Sequence, residues 1–432
     1  MSSADIPALL GGTPVRSAPE PVYNMIGDGE IAAATEVMKS GVLSGFIGRG
    51  GPNFLGGDRV KALEARLASF FGCSHAVSVN SATSALHAAV YAMLLEPGDE
   101  VIVSPYTMSA TASSILFCGG VPVFADIEPD TFGLDPAAVE AAITPRTRGI
   151  MAVNIFGHPC RLDELRIIAD RHGLFLAEDS AQAPGAMYKG RKAGTIGDAG
   201  VLSFNRHKTL QCGEGGALLT NRQDVAMRAA LLRNHGEVCV DDLGIADIVN
   251  TAGLNFRMTE IEAAIADVQF SRIEELTEPR VELARRLSAN LATIPGVTPP
   301  KVADDCTHAY YVYCPKVDEA VTGVSRDIFA KALTAEGFPT RAGYLRPIYL
   351  EPLYQRQICF GKSGFPFSAN PRNAQLDYRK GSCPVTERVQ DHELLMLNCV
   401  YQPYSLEDMD KVAEAFRKII AHADRLIALQ AA

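Results

Sequence analysis

The chain has 432 residues, of which 47% are apolar and 21% charged, with a formal net charge of −10 at pH 7. That length supports a large core, most simply in two domains, and the acidic balance speaks against a nucleic-acid binder, which needs clustered positive charge. No window of about 18 apolar residues is present, so no membrane span is expected.

The ten cysteines are scattered singly, none in a CxxC or CxC spacing, and several lie inside apolar runs such as "ILFC" and "MLNCV". They read as small buried thiols in a reducing compartment rather than a disulfide framework or a zinc site. The stretch "MSSADIPALLGG" has no basic region followed by an apolar one. A cytoplasmic protein is the simplest expectation.

From residue 75 onward short apolar runs recur: "HAVSVN" (75–80), "EVIVSP" (100–105), "VPVFADI" (121–127), "GIMAVNIF" (149–156), "LFLAED" (174–179), "GVLSFN" (200–205) and "GALLTN" (216–221). Several are apolar on both faces, as strands covered by helices on each side must be. Amphipathic stretches such as "ATSALHAAVYAML" lie between them. The alternation predicts an α/β domain with a mostly parallel sheet. Residues 206–215 are too few for a helical crossover, so the last two strands should run antiparallel.

Beyond residue 225, "DVAMRAALLRNHG" and the long "TEIEAAIADVQFSRIEELTEPRVELARRLSANL" read as helices, the second long enough to bridge two domains. The loop-rich "TIPGVTPP" (293–300) marks a boundary. Residues 1–294 are then a large domain that includes the N-terminal segment, and residues 295–432 a smaller α+β domain. In the latter, "AYYVYCPKV" alternates as a strand, and "SRDIFAKALTAEGF" and "SLEDMDKVAEAFRKIIAHADRL" read as surface helices. Residues 350–382 have little regular pattern but many aromatics and cations, which suits either a substrate lid or a structural excursion.

Three strand ends carry polar groups. After the first strand, "NSATSALHAA" opens a helix whose N-terminal N–H groups, with Thr83 and Ser84, could bind an anion or simply cap the helix. In "LFLAEDSAQAPGA" a buried strand delivers Glu178 and Asp179 to its carboxyl end, where α/β sheets place ligands. Asp179 there could bind a metal, a ribose hydroxyl or a protonated ring nitrogen; no second acid cluster or histidine pair favours the metal. In "SFNRHKTLQCGEGG", Ser203 ends a strand and Lys208 follows in a turn closed by Gly213, Gly215 and Gly216, a fixed setting of the kind a nucleophilic lysine needs. Together the three form a pyridoxal phosphate site: helix terminus and hydroxyls for the phosphate, a carboxylate for the pyridine nitrogen, a lysine for the aldehyde. Competing motifs are poor. "GAMYKGRK" (185–192) lacks the Lys-Ser/Thr of a phosphate-binding loop, and "GFIGRGGPNFLGG" gives no GxGxxG after a strand. A nicotinamide-linked oxidoreductase is thereby disfavoured.

The order SATSALH, PYTMSAT, EDSAQAPGA, SFNRHKTLQCGEGG and GLNFRMTEIEAA, with the later "CPVTERV", resembles the DegT/StrS family of pyridoxal-phosphate sugar aminotransferases from about residue 30 to 420. The resemblance implies the aspartate-aminotransferase-type fold, with a large seven-stranded domain, a smaller C-terminal domain and a homodimer with shared active sites. It implies that Lys208 forms the Schiff base and then serves as general acid/base. Asp179 would pair with the pyridinium nitrogen, Gln182 would meet the ring's phenolic oxygen, and Ala82, Thr83, Ser84 and Ser203 would hold the phosphate. Asn255 would reach the neighbouring subunit's phosphate. Where the family usually stacks an aromatic on the cofactor this chain has Met108, whose thioether can pack on a ring face. A branch of the family carries histidine at the lysine position and dehydrates sugars; counted from Ser203, that position falls on Lys208, with His207 beside it. The implied activity moves an amino group from glutamate or glutamine to a nucleotide-linked keto-sugar, an inosose-type cyclitol or a keto-octulosonate-type acid sugar. Arg49, Tyr106, Arg233, His235 and Tyr344 are candidates for gripping the acceptor. The alternatives are a dehydratase on the same fold and a regulator that binds the cofactor without turnover.

Overall fold

In the computed structural model, which describes residues 3–428, the seven apolar runs form one sheet. Its strands are β1 (His75–Val79), β2 (Glu100–Val103), β3 (Val121–Phe124), β4 (Thr147–Val153), β5 (Phe175–Asp179), β6 (Ala199–Ser203) and β7 (Gly216–Thr220), in the order β1-β7-β6-β5-β4-β2-β3. The pairs β2–β3, β2–β4, β4–β5 and β5–β6 are parallel. Strand β7 runs antiparallel to both β6 and β1, as its short connection demands.

The period of two in a strand sends successive side chains to opposite faces. Val101, Val103, Met151 and Ala177 face one layer with helices α1 (Ala82–Tyr91), α2 (Ser109–Phe117) and α3 (Gln223–Arg233). Ile102, Ile150, Ala152 and Leu176 face the other, with Leu162, Leu165 and Ile168 against them. This is the aspartate-aminotransferase-type α/β fold. Every parallel strand ends at the same edge, so Asp179, Ser203 and the start of α1 come together there.

Four stretches differ from or sharpen the sequence expectation. The long helix is two, α4 (Glu260–Ser271) and α5 (Ile273–Leu291), with Arg272 between them at φ −112. Leu283, Ala284, Leu287 and Leu291 of α5 then enter a second core with α6 (Arg326–Ala335) and α7 (Leu406–Ile420). "AYYVYCPKV" yields only the strand residues Lys316–Val317 and a single bridge at Tyr313, because Tyr310 turns the chain at φ +46. Residues 350–382 are anchored as a structural excursion would be: Tyr354, Phe367 and Tyr378 are buried in the sheet's core, and the Tyr378 hydroxyl donates to the Pro122 carbonyl at 2.7 Å. Finally, Leu9, Leu10, Val15 and Tyr23 pack on the second core, and the N–H groups of Ala8 and Val15 both donate to Glu336 at 2.8 Å. We therefore propose the domain boundary near residue 294 with the N-terminal segment grouped with the C-terminal part.

Candidate active site

At the end of β5 the two acids diverge. The Glu178 carboxylate turns inward and accepts from the N–H groups of Gly194, Ile196 and Gly197, each at 2.7 Å. Asp179 turns the other way. One of its oxygens accepts from the Thr111 hydroxyl at 2.8 Å and the other from the Ala181 N–H at 3.1 Å. Burial pushes the Asp179 carboxyl up, against the opposing pull of these two bonds and of Lys208.

Lys208 sits on the β6–β7 connection. The Phe204 N–H donates to the Gly215 carbonyl and the Arg206 N–H to the Gly213 carbonyl, both at 2.9 Å, while Lys208 N–H donates to Asn205 at 2.8 Å. Gly215 has φ +151, and a Cβ there would come within 2.7 Å of Met258, so only glycine closes this turn. The Lys208 Nζ lies 4.3 Å from the centre of the Tyr311 ring. Burial pushes its amine down to about 8, with the Asp179 charge acting the other way. His207 is exposed on the same turn.

A tight approach joins this turn to α1: a Cβ on Gly216 would lie 2.5 Å from the Ala82 nitrogen. The Ser81 hydroxyl caps α1 by accepting from Ser84 N–H at 3.1 Å. Helix geometry leaves the N–H groups of Ala82 and Thr83 without intrahelical acceptors. Thr83 is exposed; the Ser84 hydroxyl donates to Asn80 at 2.6 Å. Ser203 is buried at the end of β6.

Gln182 accepts from Phe156 N–H at 2.8 Å and donates to the Tyr344 hydroxyl at 3.2 Å. Burial pushes the Tyr344 phenol well up. Met108 caps α2 one turn before Thr111 and is 54% exposed. Two candidates need correction. Arg233 is fully buried; it pairs with Glu64, donates to the Ser78 carbonyl at 2.8 Å and lies over Phe46, so it braces the core and does not grip an acceptor. Tyr106 is also buried, its hydroxyl donating to Gln390 at 2.9 Å; it supports Tyr344, its ring meeting the Tyr344 ring edge-on.

Arg49, His235 and Asn255 lie on loop 45–57 and residues 234–255, which reach the start of α1 where the Asn80 N–H donates to the Phe256 carbonyl at 2.9 Å. Asn234 bridges to Asn255 and donates to the carbonyls of Ile47 and Phe54, and Arg49 and Asn255 are exposed. Thr111 and Tyr311 were not singled out in the sequence. Thr111 sits in a helix where hydroxyls are common, and Tyr311 was hidden in an apparent strand.

These residues fit pyridoxal phosphate. The Asp179 oxygens carry one donor each and retain lone pairs for a cationic ring N–H, the Lys208 amine is depressed toward its neutral form, and the first turn of α1 offers free donors to a phosphate.

The fold and site define a transaminase of this cofactor class. The DegT/DnrJ/EryC1/StrS aminotransferase family model matches residues 27–373. The spore coat polysaccharide biosynthesis protein SpsC of Bacillus subtilis (strain 168) is 36% identical over 406 residues, covering 93% of this chain and 96% of that protein. An L-glutamine:2-deoxy-scyllo-inosose aminotransferase of Streptoalloteichus tenebrarius is 35% identical, covering 97% and 98%. The crystal structure of DesI in the presence of its TDP-sugar product aligns over 100% of both chains at 31% identity with a TM-score of 0.81. The chain belongs to the DegT/DnrJ/EryC1/StrS aminotransferase family and is a pyridoxal-phosphate-dependent aminotransferase.

Proposed function

We propose that the chain moves an amino group from glutamate or glutamine to a ketone on a sugar, in a cytoplasmic homodimer with shared active sites. The acceptor is a nucleotide-linked keto-sugar, an inosose-type cyclitol or a keto-octulosonate-type acid sugar. The observation that carries this reading is the half-buried Lys208 amine, depressed to about 8, facing the buried Asp179 across one end of the sheet. Relatives that act on an inosose and on a TDP-sugar support the acceptor class.

Bound pyridoxal phosphate supplies the electron sink for the carbanion chemistry. Lys208 Nζ takes the proton from the donor's Cα and returns one to the former carbonyl carbon of the acceptor. An amine with a pKa near the working pH suits both directions of transfer. Asp179, held by Thr111, would keep the ring nitrogen protonated, and Gln182, held by Phe156 N–H and Tyr344, would meet the phenolic oxygen. The α1 N-terminus with Thr83, Ser84 and Ser203 would hold the phosphate, Asn255 would reach the partner's site, and Met108 would pack on the ring face. Exposed His207 is no substitute for Lys208, so amination is favoured over dehydration.

The test is the visible spectrum of the protein with added pyridoxal phosphate, in wild type and Lys208→Ala, before and after glutamate or glutamine. A band that needs Lys208 and shifts with one donor supports the reading and names the donor. Mass spectrometry of a keto-sugar nucleotide and an inosose incubated with that donor then identifies the acceptor. A wild-type protein that develops no band sinks the proposal.

A further inference from the structure

A cleft of about 890 Å3 opens between the Lys208 turn and the second core, with Arg206, His207, Arg280, Tyr311, Arg341 and Tyr401 on its wall. Among the described residues, Glu20 is the one acidic residue lining it. Three guanidinium groups therefore face a single carboxylate.

Arg280 is the most telling of them. It is only 4% exposed, yet among the described residues no carboxylate pairs with it. Its guanidinium lies 4.8 Å from the centre of the Tyr23 ring and 5.8 Å from that of Tyr401. One Nη donates to the Tyr310 carbonyl at a long 3.4 Å, and Nε has no hydrogen-bond partner. Arg233 is as deeply buried but has Glu64 to neutralise it. Burying a cation without a counter-charge is costly, and aromatic faces offset only part of that cost. A site with this imbalance is complete when an anion enters it. Tyr311 ties the cleft to the chemistry: it lines the same wall as Arg280 and Arg341, and its ring lies under Lys208 Nζ. The surplus positive charge thus ends one tyrosine ring from the amine.

We propose that Arg280, with Arg341 and Arg206, holds a substrate oxyanion in this cleft, either a carboxylate of the amino donor or a phosphate of a nucleotide-linked acceptor. The proposal rests on the reading of Lys208 as the reacting amine. It extends that reading by placing a substrate's charged group on α5, the β6–β7 turn and the C-terminal part rather than on Arg233.

The experiment is calorimetric titration of the pyridoxal-phosphate-loaded protein with glutarate and, separately, with inorganic pyrophosphate. Wild type, Arg280→Met and exposed Arg341→Gln are compared. Binding of either probe to wild type that weakens at least about 10-fold in both variants supports the site. Glutarate binding assigns it to the donor, and pyrophosphate binding to the acceptor. If Arg280→Met does not fold, Arg280→Lys replaces it, with affinity partly retained because the charge remains. The proposal is overturned if neither probe binds wild type, or if affinity is unchanged in Arg341→Gln and the Arg280 variant. A wild-type protein with a normal cofactor band but no anion binding defeats this inference alone; absence of the band defeats the reading of Lys208.

Discussion

Glu178 and Asp179 are adjacent on β5 and both buried, yet their surroundings are opposite. The Glu178 carboxylate is saturated by three backbone N–H groups and the Asn154 amide, which together pin the loop at residues 194–197. Asp179 has two donors and a depressed amine across from it. The same contrast separates Arg233, neutralised by Glu64, from Arg280, which has no carboxylate partner among the described residues. Burial alone does not mark a functional group. A buried charge whose partners are complete holds the fold; one whose partners are incomplete is ready for a ligand.

The largest effect expected from breaking this contrast is at Lys208. Lys208→Ala should lower amine transfer by about 10^3-fold or more while leaving the melting temperature near wild type; turnover within about 10-fold of wild type would remove Lys208 from the chemistry. The next test uses the β5 pair. Asp179→Asn should cut kcat by about 100-fold with little loss of stability, because the amide oxygen can still accept from Ala181 N–H while its NH2 donates to the Thr111 hydroxyl, which can turn to the Met108 carbonyl, and the charge is lost to the ring nitrogen. Glu178→Ala should instead cost about 3 kcal/mol or more in urea unfolding, since three backbone donors lose their acceptor. Swapped behaviour would mean that complete partners do not separate a structural acid from a functional one.

Arg233→Met sharpens the cationic half of the comparison. It should destabilise by about 3 kcal/mol, leaving half-buried Glu64 without its cation, and KM for the acceptor measured on the folded fraction should not rise. A smaller effect concerns pH. The Lys208 amine is depressed from 10.5 to about 8 by burial, so in the cofactor-free protein the unfolded chain binds more protons between these values. Its contribution to stability is full above 10.5 and lost as pH falls through about 8. Lys208→Met should accordingly gain more stability relative to wild type at pH 7 than at pH 10, seen in paired denaturation curves. The smallest effect lies far from the chemistry: Tyr378→Phe should cost about 1 kcal/mol through its lost bond to Pro122 with kcat/KM unchanged. A kinetic defect there would give residues 350–382 a lid role.

Much of the molecule was legible because some signals are local. Seven apolar runs bounded by polar turns marked the seven strands, since a strand covered on both faces has nowhere to place a charge. The short 206–215 connection dictates the antiparallel β6–β7 pair independently of packing. Lys208 and Asp179 stood out because glycines and a strand end held them in fixed places. The break at Arg272 was less visible, since no glycine or proline lies at that position and both flanking segments favour helix.

Covalent order along the chain thus determined the sheet, its one reversed strand, and the lysine and aspartate that meet at its edge. Tertiary structure alone decided which charges were neutralised. Arg233 found Glu64 from a helix 169 residues away, and Arg280 found two tyrosines from opposite ends of the chain and, among the described residues, no acid. Pattern along a sequence reports how a residue sits in its own element, whereas the balance of a buried charge depends on groups that only folding brings within a few ångströms.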